Sequence, residues 1–364
     1  MNKSENNLLI AASGTGGHIF PALTIADEIN EYWKITWLGI QSRCEVDLVP
    51  EKYSLLTLNF ETPSKKNIFL IIQYLKIIFA TFKVLKIIRQ RKISLILTTG
   101  GYISAPVIIA AKISNIPVIL HESNLMPGLV TKYFGRFCDF VLTGFKETNQ
   151  YLRQCRISFT GTPLRQQFYN SNKLPDWVPN NEGPLILVMG GSQGATGINQ
   201  MLNCSLNFLL KKNIRIVHLT GDNENISLNF KKDKNYVRRR FVNNIAALMQ
   251  NCDLVISRSG AGAINELMQT QKPSILIPFP DSKNNHQEKN ALILSSLGGA
   301  IIINQNINSD IYLKEILERI FVDQNKDKSK LKILGIMQKN MSNFNSIDPK
   351  KKIVDIVNQF RKDF

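Results

Sequence analysis

The chain has 364 residues, with 45 Lys+Arg against 28 Asp+Glu and a formal net charge of +17 at pH 7. Its 44% hydrophobic and 20% charged residues are typical of a folded protein and exclude an intrinsically disordered chain. The chain is longer than a domain with a single hydrophobic core usually is, so we expect two domains. The positive charge indicates an anionic partner and leaves nucleic acid, acidic lipid headgroups and a phosphorylated substrate open.

Apolar runs of strand length alternate with helical patterns along the whole chain. In the first half these runs are Asn7–Ser13, Lys34–Ile40, Ser94–Gly100, Pro117–Ser123 and Phe140–Gly144. In the second half they are Pro184–Ser192, Ile214–Gly221, Asp253–Gly260 and Pro273–Pro280. This alternation predicts an α/β protein with two doubly wound, Rossmann-like domains whose parallel sheets are covered by helices on both faces.

The two halves meet in a stretch rich in proline and polar residues. We interpret Asn170–Lys173 within it as the linker, and expect an N-terminal domain at residues 1–163 and a C-terminal domain at residues 164–344. A last helical pattern at Pro349–Lys362 has no strand after it and could pack on either domain. If the two sheets face one another across a cleft, their loops line it from both sides.

Glycines gather where predicted strands lead into helices, at the edge where open α/β sheets bind ligands. The four clusters occupy residues 14–17, 100–101, 190–194 and 260–262. Such loops expose backbone N–H groups to an anion at the positive end of a helix dipole. A single cluster is often only a tight turn, but four at one edge predict a site for a ligand that contains a diphosphate.

Several nucleotide-binding classes lack support in the sequence. No acidic residue ends the Lys34–Ile40 run, which disfavours a dinucleotide-dependent dehydrogenase, and the Walker pattern of P-loop enzymes does not occur. No D-x-D pair is present to hold a metal-bound nucleotide sugar. We therefore expect neither a metal nor a cofactor, with Arg165 and helix N-termini stabilising a leaving diphosphate.

Polar side chains with functional chemistry lie beside these loops. His18, His121 and His286 fall on predicted carboxyl-end loops, whereas His218 lies within a strand and is interpreted as structural. Glu266 lies at a predicted helix start, where it is either an acid favoured by the helix dipole or a ligand for two ribose hydroxyls.

Seven motifs occur in order along nearly the whole chain: GTGGHIFPAL (14–23), TTGGYISAP (98–106), HESN (121–124), GTPLR (161–165), GGSQGA (190–195), SRSGAGAINE (257–266) and HQEKNA (286–291). This ordered set resembles the MurG family of glycosyltransferases. The resemblance implies the two-domain GT-B architecture, with the last helix (residues 345–364) packing back on the N-terminal domain. It also implies an inverting transfer of N-acetylglucosamine from UDP-GlcNAc to undecaprenyl-diphospho-N-acetylmuramoyl-pentapeptide, a step of peptidoglycan synthesis.

The resemblance also implies a set of site residues. It places Ser192 at the diphosphate, Val242 near the uracil, Glu266 on the ribose and Gln287 on the sugar hydroxyls. The remaining donor-binding residues that it implies are Ala261, Gly262, Ala263, Ile264 and Asn265 in the C-terminal domain, and Thr15, Gly16, Gly17, Asn124 and Arg165 in the N-terminal domain. An inverting enzyme needs a base for the acceptor hydroxyl. His18 is the first candidate, because imidazole ordinarily titrates near neutral pH, and Glu122 is the second.

A long segment of the first half is basic and apolar. Between Glu61 and Glu122 there is no acidic residue, whereas nine lysines and arginines occur. Within this segment Ile68–Ile88 reads as a helix that is apolar over most of its circumference. We expect residues 65–92 to dock on an anionic membrane surface, with a core helix edged by solvated lysines as the alternative. Together with scattered cysteines that fit a reducing compartment, this predicts a peripheral protein on the cytoplasmic face of the plasma membrane.

Other functions are weighed against this prediction. A lipid galactosyltransferase that acts on diacylglycerol and a UDP-GlcNAc 2-epimerase share the expected two-domain design. A nucleic-acid-binding protein is disfavoured, because the basic segment is interleaved with aliphatic rather than stacking aromatic side chains. A non-catalytic membrane scaffold would not require His18 together with four ligand loops.

Overall fold

The computed structural model describes residues 6–41, 45–59, 69–190, 195–221, 233–321, 332–342 and 347–361, with the backbone alone at residues 45–46 and 69–74. The chain divides into two compact units. The N-terminal unit comprises Met1–Arg165 and Ile347–Phe364, and the C-terminal unit comprises Gln166–Ser346. The described residues of each unit form one parallel β-sheet, as the fold class predicts.

The sheet of the N-terminal unit has seven strands among the described residues: β1 (Asn7–Ala11), β2 (Lys34–Ile40), β3 (Ser54–Leu58), β4 (Leu95–Thr98), β5 (Val118–Glu122), β6 (Phe140–Thr143) and β7 (Ile157–Phe159). Their order is β3-β2-β1-β4-β5-β6-β7, and every neighbouring pair is parallel. The helices before the domain boundary are α1 (Gly16–Ile29), α2 (Glu45–Leu48), α3 (Phe69–Gln90), α4 (Ser104–Ile113) and α5 (Leu129–Phe134). The central strands β1, β4 and β5 are buried throughout, because helices pack on both faces.

The C-terminal unit repeats this design. Its strands are β8 (Leu185–Met189), β9 (Arg215–Leu219), β10 (Tyr236–Arg239), β11 (Leu254–Ser257), β12 (Ser274–Leu276) and β13 (Ala300–Ile302), in the order β10-β9-β8-β11-β12-β13. Its helices are α6 (Thr196–Lys211), α7 (Ile245–Asn251), α8 (Ala261–Thr270), α9 (His286–Ser296), α10 (Ser309–Phe321) and α11 (Lys332–Ser342). Aliphatic side chains from β8 and β11 form one core with α6 and α10.

The last helix, α12 (Pro349–Asn358), packs on the N-terminal unit. Ile353 and Val357 are fully buried in the same apolar cluster as residues of α1. The side chain of Asp348 caps the helix by accepting a hydrogen bond from the backbone N–H of Lys351 at 3.2 Å. These contacts hold the end of the described chain against the first helix.

The segment predicted as a linker lies inside the C-terminal unit. The backbone N–H and the side-chain amide of Asn172 both donate to Gln250 Oε1, at 3.1 and 3.0 Å. Gln250 lies in α7, so these bonds attach the segment to the unit that follows it. The division of the chain falls earlier, after Arg165.

Helix α3 has one packed face and one exposed apolar face. Ala80, Val84 and Ile88 are buried in the core of the N-terminal unit. Phe79 and Phe82, by contrast, are 67% and 64% exposed. No helix in the described ranges combines the length and apolarity needed to cross a membrane.

Candidate functional site

Two glycine loops surround the imidazole ring of His18 at the carboxyl edge of the N-terminal sheet. Gly14 follows β1, and Gly100 and Gly101 follow β4, all three with φ in the left-handed region at +112°, +86° and +78°. A Cβ atom on any of them would lie between 3.7 and 4.0 Å from a ring atom of His18. Glycine therefore permits both the turn conformation and the close approach of backbone to the ring.

The hydrogen bonding of His18 determines which ring nitrogen can act as a base. Its Nδ1 lies 2.7 Å from the carbonyl oxygen of Thr99. A carbonyl only accepts hydrogen bonds, so Nδ1 carries the proton and donates it. In the neutral ring the lone pair is then on Nε2, and that nitrogen can accept a proton from a bound hydroxyl.

Glu122, the second candidate base, is buried at the end of β5 and accepts four hydrogen bonds. Oε1 accepts from the backbone N–H of Asn124 at 3.0 Å and from its side-chain amide at 3.1 Å. Oε2 accepts from the backbone N–H of Gly128 at 2.9 Å and from the hydroxyl of Thr131 at 2.7 Å. A carboxylate oxygen has about two lone-pair sites, so these donors use the capacity of both oxygens. The geometry favours Glu122 as an organiser of the loop that leads into α5.

His121 attaches β5 to the segment that contains Arg165. Its ring is fully buried, with Nε2 3.1 Å from the Gly161 carbonyl oxygen and Nδ1 3.3 Å from the Ser123 hydroxyl. Burial lowers the pKa of His121, which keeps the ring neutral. In this state Nε2 donates to the carbonyl and Nδ1 accepts from the hydroxyl.

Arg165 lies beside the first glycine loop. The central carbon of its guanidinium group is 4.4 Å from the centroid of the Phe20 ring, a cation–π distance. The same ring lies so close to Gly16 that a Cβ at that position would collide with it. Through Phe20 the positive charge of Arg165 lies on the side of Gly16, the first residue of α1. Thr15 is the N-cap residue of this helix, and Gly17 lies in its first turn.

The loop between β11 and α8 presents a helix N-terminus at the carboxyl edge of the C-terminal sheet. Gly260 is the N-cap residue, and a Cβ at Gly260 or Gly262 would meet no heavy atom within 4 Å. The side chain of Ile264 is fully buried, so only its backbone could reach a ligand. The amide of Asn265 donates back to the carbonyl oxygen of Ala261 at 2.8 Å. Ala263 and Glu266 complete the predicted set on this helix, both half-buried.

The start of α9 is bonded to this same loop. The backbone carbonyl of Gln287 accepts from the Ser259 hydroxyl at 2.8 Å, and its side-chain oxygen accepts from the N–H of Phe279 at 2.9 Å. The NH₂ group of Gln287 is therefore the end of the side chain that can donate to a ligand. Val242 is half-buried between β10 and α7, and Ser192 lies outside the described residues.

The structure also reveals groups that the sequence analysis did not single out. The Thr99 carbonyl orients His18, and the Thr131 hydroxyl completes the bonding of Glu122. The glycine pair that follows Thr99 marks this loop in the sequence. The role of the Thr99 carbonyl, however, could not be predicted, because every residue has a backbone carbonyl group.

Comparisons with known proteins agree with this architecture. The chain matches the glycosyltransferase family 28 N-terminal domain over residues 8–143 and the glycosyltransferase family 28 C-terminal domain over residues 185–346. Among solved structures, the crystal structure of Acinetobacter baumannii MurG aligns with a TM-score of 0.75 and 22% identity, covering 98% of this chain and 99% of that one. A putative UDP-N-acetylglucosamine 2-epimerase from Listeria monocytogenes aligns with a TM-score of 0.69 and 12% identity, covering 99% and 97%. At these identities the structural likenesses show the fold alone.

Proteins that are related in sequence share a much higher identity with this chain. A UDP-N-acetylglucosamine–N-acetylmuramyl-(pentapeptide) pyrophosphoryl-undecaprenol N-acetylglucosamine transferase from Prochlorococcus marinus strain MIT 9515 is 59% identical over 366 residues, covering 100% of both chains. A transferase of the same name from strain AS9601 is 58% identical, covering 99% of both chains. The chain therefore belongs to glycosyltransferase family 28 and, within it, to the MurG family of N-acetylglucosamine transferases.

Proposed function

We propose that the chain transfers N-acetylglucosamine from UDP-GlcNAc to N-acetylmuramoyl-pentapeptide carried on undecaprenyl diphosphate, with inversion at the anomeric carbon. The names of the relatives supply the two substrates. The observation that carries the proposal is the geometry of His18, whose Nδ1–H donates to the Thr99 carbonyl at 2.7 Å and leaves Nε2 to act as a base.

In the proposed reaction an acceptor hydroxyl attacks the anomeric carbon of the donor sugar. His18 Nε2 takes the hydroxyl proton while the bond from that carbon to the β-phosphate oxygen breaks. UDP leaves as an anion, which the positive N-terminus of α8, the loop at Thr15–Gly17 and the guanidinium of Arg165 stabilise. No step requires a divalent metal.

The remaining donor contacts follow the predicted set. Ser192 binds the diphosphate, the backbone of Val242 lies near the uracil, and the first turns of α8 bind the nucleotide. Glu266 accepts from the ribose hydroxyls, and Gln287 binds the sugar. Asn124, whose side chain donates to Glu122 at 3.1 Å, is proposed to contact the donor from a loop that the carboxylate holds in place.

A direct assay tests this activity. The full-length chain is incubated with labelled UDP-GlcNAc and a short-chain, lipid-linked N-acetylmuramoyl-pentapeptide, and we expect a disaccharide product whose yield does not change when EDTA is added. Donor without acceptor tests for epimerisation, and UDP-galactose with diacylglycerol tests for the lipid galactosyltransferase. Product in either of these arms, without disaccharide in the first, would overturn the proposal.

Replacing Glu266 by alanine should weaken UDP binding by about 1–3 kcal/mol, because two ribose hydroxyls lose a charged acceptor. The affinity is measured by titration calorimetry with the full-length protein. Glu288→Ala is the control, since Glu288 is an acid on another helix of the same unit, α9, and has no proposed ligand. Equal UDP affinity in the parent and in Glu266→Ala would show that Glu266 does not bind the ribose; its place as the sixth residue of α8 lies beyond the first turn, where the helix dipole favours an acid.

We further propose that the exposed face of α3 docks the enzyme on the anionic surface of the cytoplasmic membrane leaflet as a peripheral protein. Its apolar members are Leu75, Ile78, Phe79 and Phe82, which are 48%, 49%, 67% and 64% exposed. Lys76, Lys83 and Lys86 are exposed on the same helix. Large apolar side chains flanked by lysines are the composition of an interfacial helix.

Neighbouring helices of the N-terminal unit add exposed apolar side chains. Ile113, at the end of α4, is 63% exposed, and Leu129 and Tyr133 on α5 are 50% and 60% exposed. Helix α4 packs against both α3 and α5, so these residues belong to adjoining elements. A patch of this kind with basic residues beside it fits an acidic bilayer better than it fits nucleic acid.

Two sets of substitutions separate the apolar and electrostatic contributions to membrane binding. Lys76→Gln, Lys83→Gln and Lys86→Gln together should release the protein from vesicles of phosphatidylglycerol and phosphatidylcholine at moderate salt, because each lysine contributes about 1 kcal/mol near the surface. Phe79→Ser with Phe82→Ser should weaken the binding that persists at high salt by about tenfold or more. Co-sedimentation with vesicles measures both.

Exposed apolar residues of the C-terminal unit provide a matched control. Ile307 and Ile311 are 91% and 51% exposed, and Ile307→Ser with Ile311→Ser should leave vesicle binding unchanged. If the α3 variants sediment as the parent does and only their thermal stability falls, α3 is a core helix and the membrane proposal is wrong.

A further inference from the structure

Arg258 carries a buried guanidinium group in the C-terminal unit. It directly follows β11, and only 8% of its surface is exposed. Nη1 donates to the carbonyl oxygens of Ile277 and Pro278, both at 3.0 Å, and Nη2 donates to Gln305 Oε1 at 2.8 Å. All three acceptors are neutral, and among the described residues no acidic side chain forms an ion pair with Arg258.

The positive charge of Arg258 is therefore not neutralised within the described part of its unit. Burial lowers the pKa of the Arg258 guanidinium, but arginine stays protonated in proteins. A buried charge is ordinarily paired with an opposite charge, because hydrogen bonds to neutral groups satisfy its N–H donors without cancelling its field. We therefore expect an anion to bind at the same edge of the sheet, where it would neutralise the charge of Arg258.

The contacts of Arg258 join the loops at the carboxyl edge of the C-terminal sheet. Ile277 and Pro278 follow β12, and the next residue, Phe279, donates its N–H to Gln287. Gln305 follows β13, and its side chain packs against Gly197 in the first turn of α6. A Cβ atom on Gly197 would collide with the side-chain amide of Gln305. Arg258 thus holds together the segments that begin α6, α8 and α9.

We propose that Arg258 is a positioning residue and the fixed positive charge that makes the C-terminal unit select a diphosphate-bearing nucleotide. This inference rests on the proposed use of UDP-GlcNAc. The guanidinium holds the loops that contact the donor, and its uncompensated charge attracts the two phosphates and the departing UDP without touching the sugar. A low-dielectric surrounding strengthens such a field compared with the same charge in water.

The test compares the affinities of UDP and uridine, which share base and ribose and differ by the diphosphate. Both are titrated calorimetrically into the full-length parent and into Arg258→Met, which keeps most of the side-chain volume and removes the charge. We expect the preference for UDP over uridine to fall about tenfold, which corresponds to 1.4 kcal/mol. Arg258→Lys should restore most of this preference, because it restores the charge without the planar fork.

The matched control is Gln305→Leu, which removes an acceptor of Arg258 and retains the charge. It should weaken UDP and uridine binding alike. If Arg258→Met loses as much affinity for uridine as for UDP, the charge of Arg258 does not select the diphosphate. The same holds if Arg258→Met keeps its affinity for both ligands. If Arg258→Met does not fold, a loss of the UDP preference in Arg258→Lys contradicts the inference equally. A parent protein that does not prefer UDP over uridine would instead contradict the proposed function.

Discussion

Replacing His18 by glutamine should lower the turnover number of the transfer by about 10²- to 10⁴-fold, the usual contribution of a positioned general base. Glutamine keeps a polar side chain of similar length, but its amide cannot take up a proton. The variant should therefore fold and bind UDP as the parent does. The measurement is the initial rate of disaccharide formation at saturating donor and acceptor, together with UDP affinity by calorimetry.

His286→Gln is the matched control for this change. The Nδ1 atom of His286 also lies close to a carbonyl oxygen, that of Lys283 at 2.8 Å, but His286 belongs to the C-terminal unit and has no proposed part in proton transfer. Its turnover number should stay near that of the parent. If His18→Gln keeps most of the parent's turnover number, another group takes the proton and His18 is not the base.

Replacing Glu122 by alanine should lower the free energy of unfolding by about 3–5 kcal/mol, because several buried donors lose a charged acceptor together. The four bonds to Oε1 and Oε2 range from 2.7 to 3.1 Å and come from Asn124, Gly128 and Thr131. Their loss should release the segment between β5 and α5. Urea unfolding measured by circular dichroism reports the change.

A conservative substitution distinguishes a positioning role of Glu122 from a role as base. In Glu122→Gln one carboxylate oxygen becomes an NH₂ group, which faces hydrogen-bond donors and repels them. The free energy of unfolding should therefore fall. The turnover number per folded molecule should fall much less than in His18→Gln. Asp139→Asn is the matched control, because Asp139 Oδ2 accepts a single backbone bond, from Val118 N–H at 2.8 Å. A Glu122→Gln protein of normal stability that loses turnover about 10²-fold or more would make Glu122 the base.

The interior of both sheets could be predicted from the sequence, and the edges could not. All nine predicted strands form, including β1, β4 and β8, because strands covered on both faces need continuous apolar runs. Among the described residues, the strands without a prediction are β3, β7, β10 and β13, and they are the outer strands of the two sheets. An outer strand is paired on one side only and can carry exposed polar residues, as Arg238 and Arg239 of β10 illustrate.

The location of the candidate site also followed from the sequence. Glycine after a predicted strand marks a position that needs φ > 0 or a close backbone approach, and Gly14, Gly100 and Gly101 meet both conditions around His18. The N-terminus of α8 likewise begins within the predicted SGAGAINE segment. These features are local, because they depend on neighbours within one loop and the helix that follows.

Only the tertiary structure decided how the charged and titratable groups are used. His18 receives its tautomer from Thr99, a residue 81 positions away, and Arg258 finds its acceptor at Gln305, 47 positions away. By residue type His18 is the first candidate base and Glu122 the second. The fold adds that four donors occupy the carboxylate of Glu122, whereas the Thr99 carbonyl leaves the lone pair of the neutral His18 ring on Nε2. Hydrogen-bond partners distant in sequence meet only when strands align in a sheet, so the sequence determined which groups stand at the sheet edge and the fold determined what each can do.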